Sequence, residues 1–276
     1  MRNFTKALVL ALMLMPLSQI AQAINKDRAI TSLGMDFDEN VTQVNSANLT
    51  VHTFSPKSDA LRNGMHYVFI ETNCPKCSPQ IRVVKQFGNS YDIYRNATPM
   101  SAVVAINGSF FGYDAKGQRI PLGLVVADGV RKNRPIGWDR GGFLVHDKKG
   151  NTRIIPVHNY KPSINDFSVL QSKPLLVESG KNGIYKDDGE RFNRTAVAIS
   201  TSGKVIIAGA FEGFGRAASL YEFAQFLLSI KCSDGSTIKW ALSMDGGPGA
   251  QIYVPAIKRN FGDPGQNYVP NLIYVQ

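Results

Sequence analysis

The sequence predicts an α+β protein that is rich in β-structure, with one domain of mixed or antiparallel sheet and few helices. Two observations support this fold class. Short apolar segments with β-branched and aromatic residues recur between turn residues, and only one segment has a well-marked amphipathic helical pattern. The 276 residues are 43% hydrophobic, which is enough for a sizeable core, and contain no internal repeat or low-complexity linker. We therefore predict a single domain over residues 24–276.

Strand patterns dominate this domain. Residues 142–146 and 152–155 flank a turn at 147–150, and residues 195–199 and 204–208 flank a turn at 201–203, so we predict two hairpins. Other predicted strands cover residues 49–54, 66–70, 81–84, 101–106, 122–126, 238–244 and 272–275.

The strongest helix pattern begins at Ser219. Ser219 and Glu222 have the spacing of a capping box, in which each side chain bonds the free amide of the other residue. The apolar residues that follow recur at helical spacing and form one face: Leu220, Phe223, Ala224, Leu227 and Leu228. A weaker helix is predicted within residues 24–35.

The first 23 residues have the three parts of a signal peptide. Arg2 and Lys6 give a positive start, residues 7–17 are apolar, and residues 21–23 read Ala-Gln-Ala, which a signal peptidase accepts. A membrane anchor is the alternative, but the apolar run is shorter than the roughly 20 residues needed to span a bilayer. We expect a protein that is exported to the periplasm or beyond.

The three cysteines fit an oxidising compartment. Cys74 and Cys77 lie among prolines in a predicted turn, where they can close a small disulfide loop, which leaves Cys232 free. Pairing of Cys232 with either of the other two remains an alternative.

The net charge favours certain partners, and the absence of several motifs excludes some classes of function. The net charge of +10 favours polyanionic partners such as phosphorylated glycans. The sequence lacks the Gly-x-Ser-x-Gly elbow of many hydrolases and the P-loop of nucleotide-binding proteins. The four histidines are scattered without metal-ligand spacing, so we predict no metal site of that type and no cofactor, although the sequence leaves a divalent cation open.

Candidate chemistry lies in four glycine-rich segments at predicted strand ends, residues 107–111, 121–129, 191–197 and 244–249. Glycine allows positive φ angles and close approach of a ligand to the backbone. Free amides in such turns can hold an anionic oxygen, and a carboxylate at a strand end can move protons.

In this order, the segments resemble the phosphodiester glycosidase family over about residues 101–254. The family pattern usually continues with serine after the last glycines, where this chain has Pro248-Gly249-Ala250. The resemblance rests on residues 107–111, on Pro121, Gly123 and Asp128-Gly129, and on residues 171–176, 194–196, 219–228 and 245–247.

The resemblance implies cleavage of a sugar C1–O bond whose oxygen belongs to a phosphodiester. Such a leaving group needs stabilisation of negative charge more than it needs a proton. Arginine matches two phosphate oxygens, and a carboxylate can attack C1 or activate water. The predicted catalytic residues are Asp245, with Glu212 or Asp128 as partner; the predicted phosphate-binding residues are Arg194 first and Arg191 second, with Asn107, Gly108, Gly246 and Gly247.

The leading hypothesis is thus an exported hydrolase that acts on a sugar-1-phosphodiester of an envelope or extracellular glycoconjugate. One alternative is a protein that binds a phosphoglycan or polysaccharide without cleaving it, and a weaker one is an interaction protein of the cell envelope. We expect no nucleic-acid partner and no integral membrane segment, and the oligomeric state is not predicted.

Overall fold

The computed structural model describes residues 37–57, 64–73, 78–83, 93, 101–117, 119–262 and 269–276. The predicted signal peptide, the predicted helix within residues 24–35 and the Cys74–Cys77 pair lie outside these residues, so they stay predictions.

The main sheet has eight strands, and each pair of neighbours is antiparallel. Its spatial order is β1 (Phe37–Val44), β2 (Leu49–Pro56), β3 (His66–Thr72), β16 (Val205–Phe211), β15 (Arg194–Ser200), β17 (Ile238–Ser243), β13 (Leu175–Glu178) and β14 (Lys181–Asn182).

Two five-stranded antiparallel sheets and a small ribbon complete the described strands. The second sheet has the order β11 (Thr152–Pro156), β10 (Gly142–Asp147), β12 (Asp166–Ser172), β8 (Val125–Ala127) and β9 (Val130–Asn133). The third sheet has the order β19 (Arg259–Phe261), β18 (Ile252–Val254), β5 (Val104–Asn107), β20 (Asn271–Val275) and β4 (Pro79–Val83). The ribbon pairs β6 (Phe111–Tyr113) with β7 (Arg119–Pro121).

The core lies on both faces of the main sheet. On one face, apolar residues such as Val197 and Ile207 pack with Ile106 of the third sheet and Leu170 of the second. On the other face, residues such as Ala198 and Ile206 pack beneath helix α1 (Leu220–Ser229). Because β16 and β15 are covered on both faces, all of their residues except Arg194 are buried, and most of them are apolar.

Helix α1 forms as predicted. The Ser219 hydroxyl accepts a 3.1 Å hydrogen bond from the Glu222 amide, and the Glu222 carboxylate accepts one of 3.0 Å from the Ser219 amide. Phe223, Ala224 and Leu227 of the predicted apolar face are buried against the sheet.

Both predicted hairpins are confirmed, as β10 with β11 and β15 with β16. Two differences stand out. The strand predicted from residue 101 begins only at Val104, and nine of the described strands were not predicted, namely β1, β6, β7, β9, β12, β13, β14, β18 and β19. The described residues form mainly antiparallel β-sheets with a single α-helix. The structure therefore fits a mostly-β class better than the predicted α+β class.

Candidate active site

Four neighbouring strands of the main sheet have an end on the same side of the sheet. We call this side, where the strands end or begin, the site edge. Neighbouring antiparallel strands run in opposite directions, so the end of one lies beside the start of the next. Here β16 ends at Phe211, β15 begins at Arg194, β17 ends at Ser243 and β13 begins at Leu175. The glycine-rich segments around residues 191–197 and 244–249 are therefore brought together.

Strand β5 of the third sheet brings Asn107 to the site edge. Its Nδ2 donates a 2.7 Å hydrogen bond to the main-chain oxygen of Asp245, and its Oδ1 accepts from Thr195 Oγ1 at 2.8 Å and from the Gln251 amide at 3.0 Å. Asn107 is 1% exposed. Its side chain is thus used to hold three segments of the protein together, and it positions the Asp245 loop instead of facing solvent.

Gly108 extends this connection through its backbone. Its amide donates to the Asn271 carbonyl at 2.9 Å, and its carbonyl accepts from the Asp245 amide at 3.0 Å. A Cβ atom at residue 108 would lie 1.7 Å from Oδ1 of Asn271, so a larger residue would displace that side chain. Gly108 therefore allows the close approach of β5, β20 and the Asp245 loop.

Asp245 is the predicted catalytic residue that the structure places at the centre of the site edge. Burial raises the pKa of its carboxyl from 3.8 to about 6, although the Gly246 amide donates to it and opposes the shift. The side chain is only partly exposed. A carboxyl with this pKa can change its protonation near neutral pH, which suits acid–base or nucleophilic chemistry.

Arg194 lies beside the loop that follows Asp245. Its Nε donates to the Ala218 carbonyl at 3.1 Å, its Nη2 donates to the Glu190 carbonyl at 2.9 Å, and its guanidinium lies 5.1 Å from the ring centroid of Phe192. A Cβ atom at Gly246 would lie 3.5 Å from its Nη1. Nη1 has no hydrogen-bond acceptor among the described residues. The guanidinium group is therefore fixed through Nε and Nη2, and Nη1 can donate to an anion.

Asn193 joins the remaining loops of the site edge, and sequence reasoning did not assign it a role. Its Oδ1 accepts from the Glu212 amide at 2.9 Å, its amide donates to the Gly215 carbonyl at 2.9 Å, and its carbonyl accepts from the Gly247 amide at 2.8 Å. Asn193 is buried. The Gly247 amide, predicted to bind phosphate, is thus engaged within the protein.

Thr195 is a second positioning residue that was missed. Its hydroxyl donates to Asn107 and also lies 3.4 Å from the Asp245 carbonyl. A polar residue directly before the apolar run of residues 196–199 is the signal that could have indicated it.

Glu212 and Arg191 reach the same region but have internal partners. The Glu212 carboxylate accepts from the amides of Phe214 and Arg216, each at 3.0 Å, and so closes its own turn. The Arg191 guanidinium pairs with Glu222 in the first turn of α1. Both side chains are therefore engaged within the protein.

The structure does not bring Asp128 to the site edge. Asp128 and Gly129, with φ of +54° and +72°, form the exposed two-residue turn between β8 and β9 of the second sheet. Such φ angles are those of a type I′ hairpin turn. No described contact joins Asp128 to Asp245.

No group of three or more His, Cys, Asp or Glu side chains in the described ranges is arranged to hold a metal ion. Cys232 is a buried free thiol, and burial raises its pKa to about 11, so it is a poor nucleophile. Asp245 and Arg194 are therefore the groups of the site edge that offer chemistry.

A carboxyl and a guanidinium group on glycine-rich loops at one edge of an antiparallel sheet define a site suited to an anionic ligand. The family model described as phosphodiester glycosidase matches residues 100–276, well over half of the chain. The chain belongs to the phosphodiester glycosidase family. The matched region includes β20, which carries the Asn271 contact with Gly108.

Three of the solved structures that the chain resembles show the shared fold. The catalytic domain of zebrafish N-acetylglucosamine-1-phosphodiester alpha-N-acetylglucosaminidase, auto-inhibited by its pro-peptide, has a TM-score of 0.57 and 16% identity, covering 87% of this chain and 82% of that one. A Burkholderia pseudomallei protein described as exported has a TM-score of 0.57 and 11% identity, covering 92% and 89%. A hypothetical protein from Synechocystis has a TM-score of 0.56 and 14% identity; the match covers 86% of this chain and 63% of that one.

No curated protein matches the chain. Within the described residues, no helix has both the length and the apolar character needed to cross a membrane.

Proposed function

We propose that this protein hydrolyses the bond between the anomeric carbon of a sugar and the oxygen of a phosphodiester. The observation that carries the proposal is the pair formed by Asp245 and Arg194. One is a carboxyl with a raised pKa, the other a fixed cation, and both lie beside Gly246.

Arg194 stabilises the leaving group. A phosphate oxygen that departs from C1 gains negative charge, and a guanidinium held in advance stabilises that charge without reorganising. Two of the Arg194 donor groups are fixed on main-chain carbonyls, so the orientation of Nη1 is set before substrate arrives. The phosphate leaves as a weak base, so a strong general acid is not required.

Asp245 acts in the attack on the anomeric carbon. Its carboxylate either attacks C1 directly or removes a proton from the attacking water, through an oxocarbenium-like transition state. Both roles need the ionised form, which predominates above pH 6. Water ends with its oxygen on the sugar, and the bridging oxygen stays on the phosphate.

We propose that the substrate lies outside the cytoplasm. The signal-peptide pattern of residues 1–23 supports work outside the cytoplasm, and the Burkholderia neighbour is described as exported. A phosphorylated glycan of the envelope or of secreted polysaccharide fits the net charge of +10. No cofactor is part of the proposal.

The test is hydrolysis of N-acetylglucosamine-1-phosphate methyl ester in ¹⁸O-labelled water. The proposal predicts free sugar that carries the label and methyl phosphate that does not. Asp245→Asn should lower kcat by 10²- to 10⁴-fold, the range typical of a lost acid–base group. UDP-N-acetylglucosamine serves as a second ester. Label in the phosphate, or an undiminished rate in the variant, would contradict the proposal.

A second candidate is a protein that binds the same ligand without cleaving it. The observation in its favour is Pro248-Gly249-Ala250, where the family usually has serine. This candidate predicts saturable binding of a phosphoglycan by calorimetry, unchanged in Asp245→Asn, with no product from any ester.

A further inference from the structure

The second sheet carries an apolar cluster on the face that points away from the main sheet. Successive side chains of a strand alternate between the two faces of its sheet. Leu144 and Leu170 belong to the core that the sheets share, whereas Phe143 and Val169 belong to a separate buried cluster. The segment that follows β11 covers part of this cluster, and its Tyr160 ring stacks on the Phe143 ring with centroids 4.1 Å apart.

A cavity of about 750 Å³ opens between this face and the segments that cover it. Sites for small molecules enclose roughly 300–1,000 Å³, and most of their lining is apolar with a few polar groups. Ile164 is 88% exposed, so an apolar side chain stands at the opening of the cavity. The apolar walls include Leu124, Val126, Ile136, Phe143, Val157 and Ile164.

One wall of the cavity is fixed by Gln171, which is 0% exposed. Its Oε1 accepts hydrogen bonds from the amides of Leu124 and Ile136, each at 3.0 Å, and its Nε2 donates to the Ile136 carbonyl at 2.7 Å. Both main-chain groups of Ile136 are thus held in place. Because this wall is formed before a ligand arrives, binding costs less conformational entropy there.

The polar groups that remain available in the cavity are cations. Arg131 and Lys148 line it, both are exposed, and neither forms an ion pair within the described part of the chain. The acid of the lining is Asp166, whose Oδ2 accepts from the Tyr160 hydroxyl at 2.7 Å and from the Ser163 amide at 3.0 Å. Asp166 is therefore engaged within the protein, and the two cations can pair with an anionic ligand.

The two cations lie near one end of the cavity. The Lys148 amide donates to the Asn165 carbonyl at 2.9 Å, and the Gly129 amide donates to the Phe167 carbonyl at 2.7 Å. Arg131 is two residues beyond Gly129. The turns that carry the two cations therefore flank the same short segment at the start of β12.

We propose that this cavity binds a fatty acid, with its hydrocarbon chain along the apolar walls and its carboxylate paired with Arg131 and Lys148. Burial of the chain removes apolar surface from water, and the guanidinium fork matches a carboxylate. An apolar peptide is a poorer occupant, because its main-chain amides and carbonyls need partners that apolar walls do not offer. No residue of the site edge lines the cavity, so this proposal is independent of the proposed hydrolysis.

Binding is tested by titrating the full chain with parinaric acid, a fatty acid whose emission increases in an apolar site. All lipids are kept below the concentrations at which they form micelles. We expect saturable one-to-one binding and displacement of the probe by laurate. Dodecanol, which has the same chain length without the charge, should bind about tenfold more weakly. Absence of saturable binding, or equal affinities for laurate and dodecanol, would overturn the proposal.

Substitution of the two cations tests the carboxylate end. Arg131→Ala and Lys148→Ala should each raise the Kd of laurate by about threefold, and the double variant by about tenfold, with the Kd of dodecanol unchanged. Both positions are exposed, so these variants should fold normally. Lys181→Ala, at an exposed lysine on the edge strand of the main sheet, is the matched control and should bind laurate as the wild type does. Wild-type affinity for laurate in the double variant would refute the role of the two cations.

Substitution of the apolar walls tests the chain end. Val126→Phe places a larger side chain in the cavity and should weaken the binding of laurate and dodecanol alike by about tenfold or more. Urea unfolding checks that this variant folds. Ile164→Asp, at the exposed opening, tests the same walls where folding is not at stake and should also weaken both ligands. Unchanged affinity for both ligands in Ile164→Asp and in folded Val126→Phe would place the binding outside the cavity and refute the proposal.

Discussion

The side-chain amide of Asn107 donates a 2.7 Å hydrogen bond to the main-chain carbonyl of Asp245, across two different sheets. Asn107 ends a strand of the third sheet, and Asp245 follows a strand of the main sheet. The same side chain accepts from Thr195 and from the Gln251 amide. A residue that the sequence suggested for substrate binding therefore positions the candidate catalytic carboxyl.

Asn107→Ala should destabilise the protein by about 2–3 kcal/mol, because it leaves several buried polar groups without partners. Urea unfolding measures the change in the free energy of unfolding. Asn159→Ala, at an exposed position, should change it by less than about 0.5 kcal/mol. Equal effects of the two substitutions would show that the Asn107 contacts contribute little.

Arg194→Lys should lower kcat/KM for a sugar-1-phosphate ester by about 10²-fold or more. Lysine keeps the charge but loses the planar fork, which two main-chain carbonyls orient. Arg216→Lys, on the exposed neighbouring loop, is the matched control and should retain activity. Steady-state kinetics of both variants check this, and full activity of Arg194→Lys would argue against a role in charge stabilisation.

Asp245→Asn should make the protein more stable at pH 7.5, by on the order of 1–3 kcal/mol. The folded-state pKa of Asp245 is raised to about 6 from 3.8, so the folded protein binds this proton more tightly than the unfolded chain. The free energy of unfolding of the wild type therefore falls as pH rises from about 4 to 6. Asparagine carries no charge, so the variant does not lose this stability.

Thermal and urea unfolding at pH 4 and pH 7.5 measure the difference. The stabilisation should vanish at pH 4, where the carboxyl is mostly protonated in the folded protein. Asp128→Asn, at an exposed turn, is the matched control and should change the free energy of unfolding by less than about 0.5 kcal/mol. A variant less stable than the wild type at both pH values would contradict the account.

The sequence predicted the parts of the fold that depend on local patterns. The β15–β16 hairpin follows from two apolar runs around a glycine turn, and the helix start follows from the Ser219–Glu222 spacing. Strand β12 was missed because several of its buried residues, including Ser168 and Gln171, are polar. Their burial depends on tertiary hydrogen bonds, which leave no periodic pattern in the sequence.

Three of the four glycine-rich segments, residues 107–111, 191–197 and 244–249, meet at the site edge, and the roles of their residues stay predictions. Asp245 and Arg194 do lie at one edge, but Asn193 acts partly through main-chain groups, which carry no residue-specific signal. Arg191 and Arg194 are both basic residues of one segment. Only the position of Glu222 on α1 determines that Arg191 is engaged in an ion pair.

The measurement that tests the central claim most directly is the pH dependence of kcat/KM for a sugar-1-phosphate methyl ester. If the ionised carboxyl of Asp245 performs the reaction, kcat/KM should rise tenfold per pH unit below an apparent pKa of about 6 and level off above it. A rate that is flat across pH 5 to 7, or that falls as pH rises through 6, would contradict this role.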